Sequence, residues 1–423
     1  MIACLRLPAF RRLVAAYVLN ELAWMVGTLA LSVLVFRQTG SALGTTAFFI
    51  CAQFLPALLS PGVVARLDRH APRYVLPGLY ALEAVLFGAL AWFSKHFTLV
   101  PVLVLALADG VVAATARSLA AAARTHILKP LDLLHEGNAI VNFGFSGAFM
   151  LGPAIGGLVV AAGGTIAALL VNCGLFAGIA VVLAITTLPA ARPSAGSGLS
   201  RLVEGLRHVR RDRLLWRLMV VQTLGLIFFT VTVPVEVVYA QHTLQTGPGG
   251  YGALMSAWGV GAVAGSAVYA RWRRRPAVTL ITASGAALGV GFVIMAVAPV
   301  LAVALVGSAV AGIGNSMESM AVRTATQQQA SDTWMALVMS LNDSTSQLAP
   351  GLGFLIGGVI TSLATARAAF GVAAAGSLAF AGLVPVVLGR VAARRSDGSP
   401  GAPETEHPEA SEEAAASGGR SLV

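Results

Sequence analysis

Six acidic residues stand where acids are expensive. Glu21, Glu83, Asp109, Glu236, Glu318 and Asp343 each fall inside an apolar run long enough to cross a bilayer. A carboxylate at the centre of such a run costs about 2.5–3.5 kcal/mol on insertion scales. Six of them facing lipid would cost on the order of 15–20 kcal/mol, comparable with the stability of a whole fold. Most must face a cavity, a partner or a helix interface, or hold a proton.

Their neighbours narrow the chemistry. In the first run Tyr17, Asn20, Trp24 and Thr28 share one helical face, with Glu21 beside them. An acid among aromatics suits cation recognition or proton carriage; the structural alternative ties Glu21 to Tyr17, one turn away. In the fourth run Asp109 stands two turns from Arg117, as an internal ion pair or a functional pair. In the seventh, Gln222, Phe229 and Glu236 recur every seven residues. That face fits a cavity wall or a packing seam from which Glu236 reaches the interface. The tenth run offers Asn315 and Glu318 one turn apart, and the eleventh Asn342, Asp343 and Gln347, where Asp343 reads as a loop-facing or interdomain contact.

Catalytic chemistry finds no constellation. His70, His96, His126, His135, His208, His242 and His407 lie in or near loops or the tail, without a paired nucleophile or metal spacing. Cys4, Cys51 and Cys173 are scattered and read as small packing residues, not as metal ligands. Gly247, Gly249 and Gly252 match G-x-G-x-x-G, but no strand precedes them, so the match is accidental. No phosphate-binding loop ending in Gly-Lys-Ser/Thr exists, since the two lysines are Lys95 and Lys129. The expectation is a protein without enzymatic activity, cofactor or metal.

The elements that position these residues are membrane spans. The chain is 57% hydrophobic and 11% charged, with a mean hydropathy of +0.81, whereas soluble domains are about 25% charged. A helix crosses roughly 30 Å of hydrocarbon in about 20 residues. Twelve such segments are expected near 11–36, 43–65, 74–94, 99–123, 138–162, 165–188, 215–240, 251–270, 277–298, 300–322, 336–362 and 367–389. The fold class is therefore an all-α membrane protein with two six-helix bundles. The first span is no cleaved leader, because it is too long and contains Glu21.

Basic residues orient it. Of the 28 Lys and Arg, Arg37, Lys95 and Arg367 fall on one side and the other 25 on the opposite side or in the termini. Basic loops stay cytoplasmic, so both termini are expected there, in a multi-pass inner membrane protein. This asymmetry also accounts for the net charge of +10 without nucleic-acid binding, with lipid headgroups as a secondary partner. Residues 1–188 are expected to form the first bundle and 215–390 the second. Residues 189–214 form a linker in which Leu202, Leu206 and Val209 mark an amphipathic surface helix. Residues 391–423, rich in Glu, Pro, Ser and Ala, have the composition of a disordered tail.

The halves repeat each other weakly. Arg124-Thr125, Asp132 and Asn142 are echoed by Arg323-Thr324, Asp332 and Asn342; Gly152-Pro153-Ala154-Ile155-Gly156-Gly157 is echoed by Pro350-Gly351 and Gly357-Gly358. Parallel six-span repeats serve alternating access in transporters. Further signals follow in order: Phe10-Arg11-Arg12, Thr39-Gly40-Ser41-Ala42, Asp68-Arg69 with Arg73, then Pro130, Asp132, Glu136 and Asn138 ahead of the Gly-Pro motif. With these residues the chain resembles the major facilitator superfamily, most closely its drug- and siderophore-exporter branch. It departs at Val64, where that family usually has Gly, and at His70-Ala71-Pro72-Arg73, where it has Gly-Arg-Arg.

The resemblance puts Glu83 in span 3, a peripheral position where the acid reads as structural, and it implies a cavity between the halves lined by spans 1, 4, 7 and 10. Its substrate and proton residues would be Tyr17, Asn20, Glu21, Trp24, Asp109, Arg117, Gln222, Phe229, Asn315 and Glu318. Asp68, Arg69 and Arg73 would form a gating loop. Gly152, Pro153, Gly156 and Gly157 would form the helix-bend motif linked to antiport, and Arg117 or Arg124 would be the span-4 arginine of efflux members. The implied activity is proton-coupled export of a small amphipathic compound by a monomer, with Glu21 or Asp109 taking the proton. Uptake by a symporter or facilitator, or a receptor that transports nothing, are the alternatives.

Overall fold

The computed structural model describes residues 2–67, 70–186, 207, 209–329 and 335–396. Asp68 and Arg69, most of the linker helix, Asp332, the side chains of Asn342 and Asp343, and the acidic tail lie outside the described residues. Those described are helical throughout, apart from turns.

Span boundaries follow local chemistry. Span 1, Pro8–Thr39, opens with a proline whose missing N–H is spare in a first turn. It closes at Gly40, whose φ of 61° lets its N–H return to the Phe36 carbonyl. Span 2, Ala42–Leu67, is capped by Ser41, whose hydroxyl accepts from the Gly44 N–H. Within it Ile50–Phe54 form a wider π turn just ahead of Pro56, which cannot donate to Ala52. Spans 3 and 4 are Pro72–Phe93 and Leu99–Leu131.

One helix, Leu134–Ala184, has 51 residues and contains spans 5 and 6. Its break is Gly164, with φ 78° and ψ 174°, a conformation open to glycine alone. The two spans expected there are two helices that meet at this single residue. Span 7, Arg213–Thr243, is capped by Asp212, whose carboxylate accepts from the Leu214 and Leu215 N–H groups. It unwinds at Val231 and Thr232 and resumes as Val233–Val238, because Pro234 has no N–H to continue the ladder. Spans 8 to 12 are Gly247–Trp272, Ala277–Val297, Leu301–Gln329, Met335–Leu363 and Ala366–Ser396. Counting the broken helix twice gives twelve.

The two bundles repeat a small device. In the first, Arg12 of span 1 donates to the Ile185 carbonyl beyond span 6, at 3.1 Å. In the second, Arg217 of span 7 donates to the Val387 carbonyl of span 12, at 2.7 Å. Each clamps the first helix of a half to its last. Many large apolar side chains, among them Val100, Leu158 and Val181, point outward and are exposed, as a surface solvated by acyl chains requires. The packed interior includes Phe49, Tyr239, Tyr251, Phe292, Phe354 and Phe370.

Glycines bring the halves together. Gly252 of span 8 lies so close to span 5 that a β-carbon there would meet the Pro153 carbonyl and the Gly157 Cα. Gly259 approaches Phe149 and Met150 in the same way, while Gly156 faces Val26 and Gly152 faces Met25 of span 1. The Gly-Pro motif is therefore the packing surface that joins span 5 to spans 1 and 8.

Candidate functional site

Three connected spaces lie between and within the bundles. The central one encloses about 300 Å³ and takes its walls from both halves. Trp24, Met25 and Thr28 come from span 1, Phe49 and Gln53 from span 2, and Phe149 from span 5. Opposite stand Phe229, Thr230 and Glu236 of span 7, Tyr251, Met255 and Trp258 of span 8, and Pro350 and Phe354 of span 11. Trp258 anchors it, with its ring 4.8 Å from Phe149 and 5.7 Å from Phe229, centroid to centroid. The result is an aromatic box with one carboxylate.

Pro234 explains why Glu236 is there. The break at Val231 and Thr232 re-aims the last turns of span 7, so that Glu236 and Phe229 line one chamber. Glu236 is half-buried. Span 8 supplies Tyr251, Met255 and Trp258 at helical spacing, a face legible in the sequence once the glycines around it are set aside.

A second chamber, about 550 Å³, continues toward the end of the molecule that carries the basic loops. It shares Trp24, Gln53 and Pro350 with the first and adds Arg117, Ser118, Ala121 and Gln347. Ser118, Ala121 and Gln347 are exposed, so this chamber is open. The opposite end carries a separate recess of about 580 Å³, lined by Gly40, Ser41, His242 and Arg367 among others, which shares no lining residue with the central chamber. There Arg37 donates to the Gln241 side chain at 2.8 Å, Gly358 sits against Thr46, and Phe49 and Phe354 meet at 5.7 Å. Each of these contacts joins one half to the other.

The third space is a crevice inside the first bundle. It holds about 20 Å³ and is lined by Asn20, Trp24, Gly27, Thr28, Phe87, Asp109 and Arg117, among others. That is room for one water and no organic molecule. Gly110 makes it possible, since its bare Cα lets span 4 rest on the Ala52 carbonyl and Pro56 of span 2.

Spans 1 and 4 meet through two cation–aromatic pairs. The Arg117 guanidinium lies 5.4 Å from the Trp24 ring centroid, and that of Arg124 lies 4.7 Å from Tyr17. The antiparallel helices match residues seven apart on one with residues seven apart on the other. Both candidates for the span-4 arginine thus occupy equivalent rungs, and Arg117 is the one that reaches the cavities. Glu21 lies between the rungs, buried, accepting from the Asn20 side-chain amide at 3.3 Å.

The remaining candidates are dispersed. Gln222 donates to Ser346 of span 11 at 2.6 Å. Glu318 is buried against Gly225 of span 7, with Oε2 unpartnered, and Asn315 is half-buried one turn away. Arg73, exposed, has its guanidinium 4.6 Å from the Tyr74 ring centroid. Of the expected cavity residues, Trp24 and Phe229 line the central chamber, and Asn20, Asp109 and Arg117 line the crevice. Phe49, Phe149, Tyr251, Trp258 and Phe354 line the chamber without having been singled out in the sequence. Among the described residues no group of three or more His, Cys, Asp or Glu is placed to hold a metal ion.

The Major Facilitator Superfamily profile matches residues 13–350 and, in a second match, residues 229–418. The chain belongs to the major facilitator superfamily. This facilitator protein is similar to the multidrug efflux pump Tap of Mycobacterium tuberculosis, at 31% identity over 389 residues. The match covers 86% of this chain and 89% of Tap, and Tap of Mycobacterium bovis gives the same figures. Its fold is that of a mutant of the nucleoside transporter NupG, with a TM-score of 0.73 at 13% identity, covering 90% of this chain and 99% of NupG. The POT family transporter PepTSo superposes with a TM-score of 0.71 at 11% identity, covering 92% of this chain and 99% of PepTSo. It is a multi-pass transporter of small molecules, not an enzyme.

Proposed function

We propose that this facilitator exports small amphipathic organic cations, driven by protons moving the other way. The observation that carries this reading is the central chamber. Seven aromatic side chains surround about 300 Å³ with Glu236 on the wall, and aromatic faces and a carboxylate both attract an organic cation. Basic loops mark the cytoplasmic side, so the open chamber takes its cargo from the cytoplasm or the inner leaflet. Similarity to a multidrug efflux pump supports the same direction. Rocking of the bundles about the glycine contacts of spans 5 and 8 would then expose the chamber on the far side. An acid of the first bundle takes up the coupling proton there. Exchange of one proton for one monovalent cation moves no net charge, so the pH gradient supplies the drive, about 1.4 kcal/mol and a tenfold cargo gradient for each pH unit.

The test uses inside-out membrane vesicles with ethidium as the probe cation. An acid interior should drive ethidium into vesicles that contain the protein and leave control vesicles empty. Dye moving outward with protons under the same gradient would establish uptake instead, and no dependence on pH would establish a facilitator.

A further inference from the structure

Spans 3 and 4 enclose charges that the central chamber does not use. Glu83 is 0% exposed, and among the described residues neither of its carboxylate oxygens has a hydrogen-bond partner. It stands one helical turn from Phe87, which lines the water-sized crevice together with Asp109. Asp109 Oδ1 is likewise buried and unpartnered. The charges that reach Glu83 are those of Asp109 and Arg117.

The surroundings are otherwise sparse. From its own span Tyr80 lies one turn away, buried, and feels Glu83, Arg117, Arg124 and Glu21. Span 1 contributes Asn20 and Trp24 to the crevice, and Asn20 also holds Glu21. Spans 2 and 6 contribute Phe48, Ala52 and Phe176, none of which titrates. Two carboxylates thus share the charge of one guanidinium in a buried interior with room for a single water. With both ionised the group carries an excess negative charge, and with one proton it is neutral. A polar atom buried without a partner is costly, and a shared proton supplies the missing donor.

We infer that Glu83 and Asp109 form a proton-binding site, distinct from the cargo chamber and reached through the one-water crevice. A proton leaves a hydronium ion in the crevice, forms an O–H bond on one carboxylate, and leaves water behind; release is the reverse. The crevice shares Trp24 and Thr28 with the cargo chamber and Arg117 with the open one. Size does the sorting, since about 20 Å³ admits water while about 300 Å³ admits an organic cation. The site's role in export rests on the function proposed above, but its proton does not.

The experiment reads the proton directly. Infrared difference spectra of the purified full-length protein, titrated in H₂O and D₂O, should show a protonated carboxyl band that titrates and shifts on deuteration. Glu83→Gln and Asp109→Asn should each alter that band, and the double variant should lose it. Glu21→Gln and Glu236→Gln should retain it. Persistence of the band in the double variant, or its loss in Glu21→Gln, overturns the assignment. If Glu83→Gln does not fold, as gel filtration and thermal unfolding would reveal, Asp109→Asn on the crevice wall decides alone, and an unchanged band refutes the pair. In proteoliposomes Asp109→Asn should abolish ethidium movement driven by a pH gradient while ethidium binding, read by tryptophan quenching, is unchanged. Wild-type liposomes that never move ethidium would sink the cargo reading, while the infrared result would still decide the proton site.

Discussion

The two bundles face each other across one chamber but are built from different chemistry. The first carries Glu21, Glu83, Asp109, Arg117 and Arg124 within a few helical turns of one another, with Tyr17, Trp24 and Tyr80 among them. The second presents isolated acids. Glu236 stands on an aromatic wall, and Glu318 is buried against Gly225. A cluster of opposite charges can exchange a proton while its net charge stays near zero, whereas a lone carboxylate in an apolar wall is placed to meet a charge arriving from outside. On the function proposed above, the first half would carry the driving proton, while the cargo chamber takes its aromatic walls from both halves and its carboxylate, Glu236, from the second.

That division is carried by contacts that can slide. The halves touch through glycine faces in spans 5 and 8 and through the span 2–11 contact of Thr46 with Gly358. The sharpest break of the comparison is therefore steric. Gly252→Val places a branched side chain against the Pro153 carbonyl and Gly157. Overpacking of this kind costs about 1–3 kcal/mol, all of it charged to the state in which the far end is closed. The expected outcome is a shift of about 10-fold or more toward the open far side and loss of export. Labelling of Thr28→Cys by an impermeant maleimide from that side checks it, in a background lacking Cys4, Cys51 and Cys173. Labelling no faster than in the parent would show that these glycines are not the seal.

Glu236 comes next. Glu236→Gln keeps the shape of the wall and removes its charge. Loss of one favourable charge contact in a partly desolvated site, worth about 1–2 kcal/mol, should weaken ethidium binding by roughly 5- to 30-fold. A neutral dye of similar size should bind as before. Equal weakening of both dyes would move the role of Glu236 from charge recognition to packing. The same pair of probes sharpens the proton assignment, because Asp109→Asn should leave both affinities untouched.

Much of this architecture is legible in the sequence, and the remainder is hidden for definable reasons. Hydropathy locates every span because a bilayer imposes one length on all of them. Pro234 announces the break that turns Glu236 inward, since a proline's missing donor is a local fact. Gly164 is also local: its φ of 78° and ψ of 174° end span 5 and start span 6 with no longer loop between them. The pairing of Tyr17 with Arg124 and Trp24 with Arg117 is different in kind. Each residue is visible, yet the match depends on the antiparallel register of two helices far apart in the chain. Glu83 read as structural because span 3 is peripheral in facilitators, and only its burial beside Asp109 gives it other work. Span 8 hid its cavity face among glycines that serve packing, so Trp258 went unnoticed.

Trp258 offers the third test. Trp258→Ala removes the ring that touches both Phe149 and Phe229, hence one aromatic contact from each half. Aromatic pairs contribute about 0.5–1.5 kcal/mol beyond their area, so ethidium affinity should fall by roughly 3- to 10-fold. The loss should be shared by the neutral dye, unlike that of Glu236→Gln. Fluorescence quenching of the remaining tryptophans measures both. A loss confined to the cation would mean that the ring acts through its electrostatic face alone.

The smallest effect is expected at the far end, where the closure is polar. The Arg37 hydrogen bond to Gln241 is exposed, and such a bond contributes about 0.5–1.5 kcal/mol at most. Arg37→Ala should therefore shift the balance toward the open far side by only about 2- to 10-fold, in the same direction as Gly252→Val. Maleimide labelling of Thr28→Cys again reports it, and higher ionic strength should mimic it weakly or not at all, since no carboxylate takes part. If Arg37→Ala opened the far side as fully as Gly252→Val, a single surface bond would rank with the glycine seam. The closed state would then be latched at its rim, with the span 5–8 contact following passively rather than setting the equilibrium.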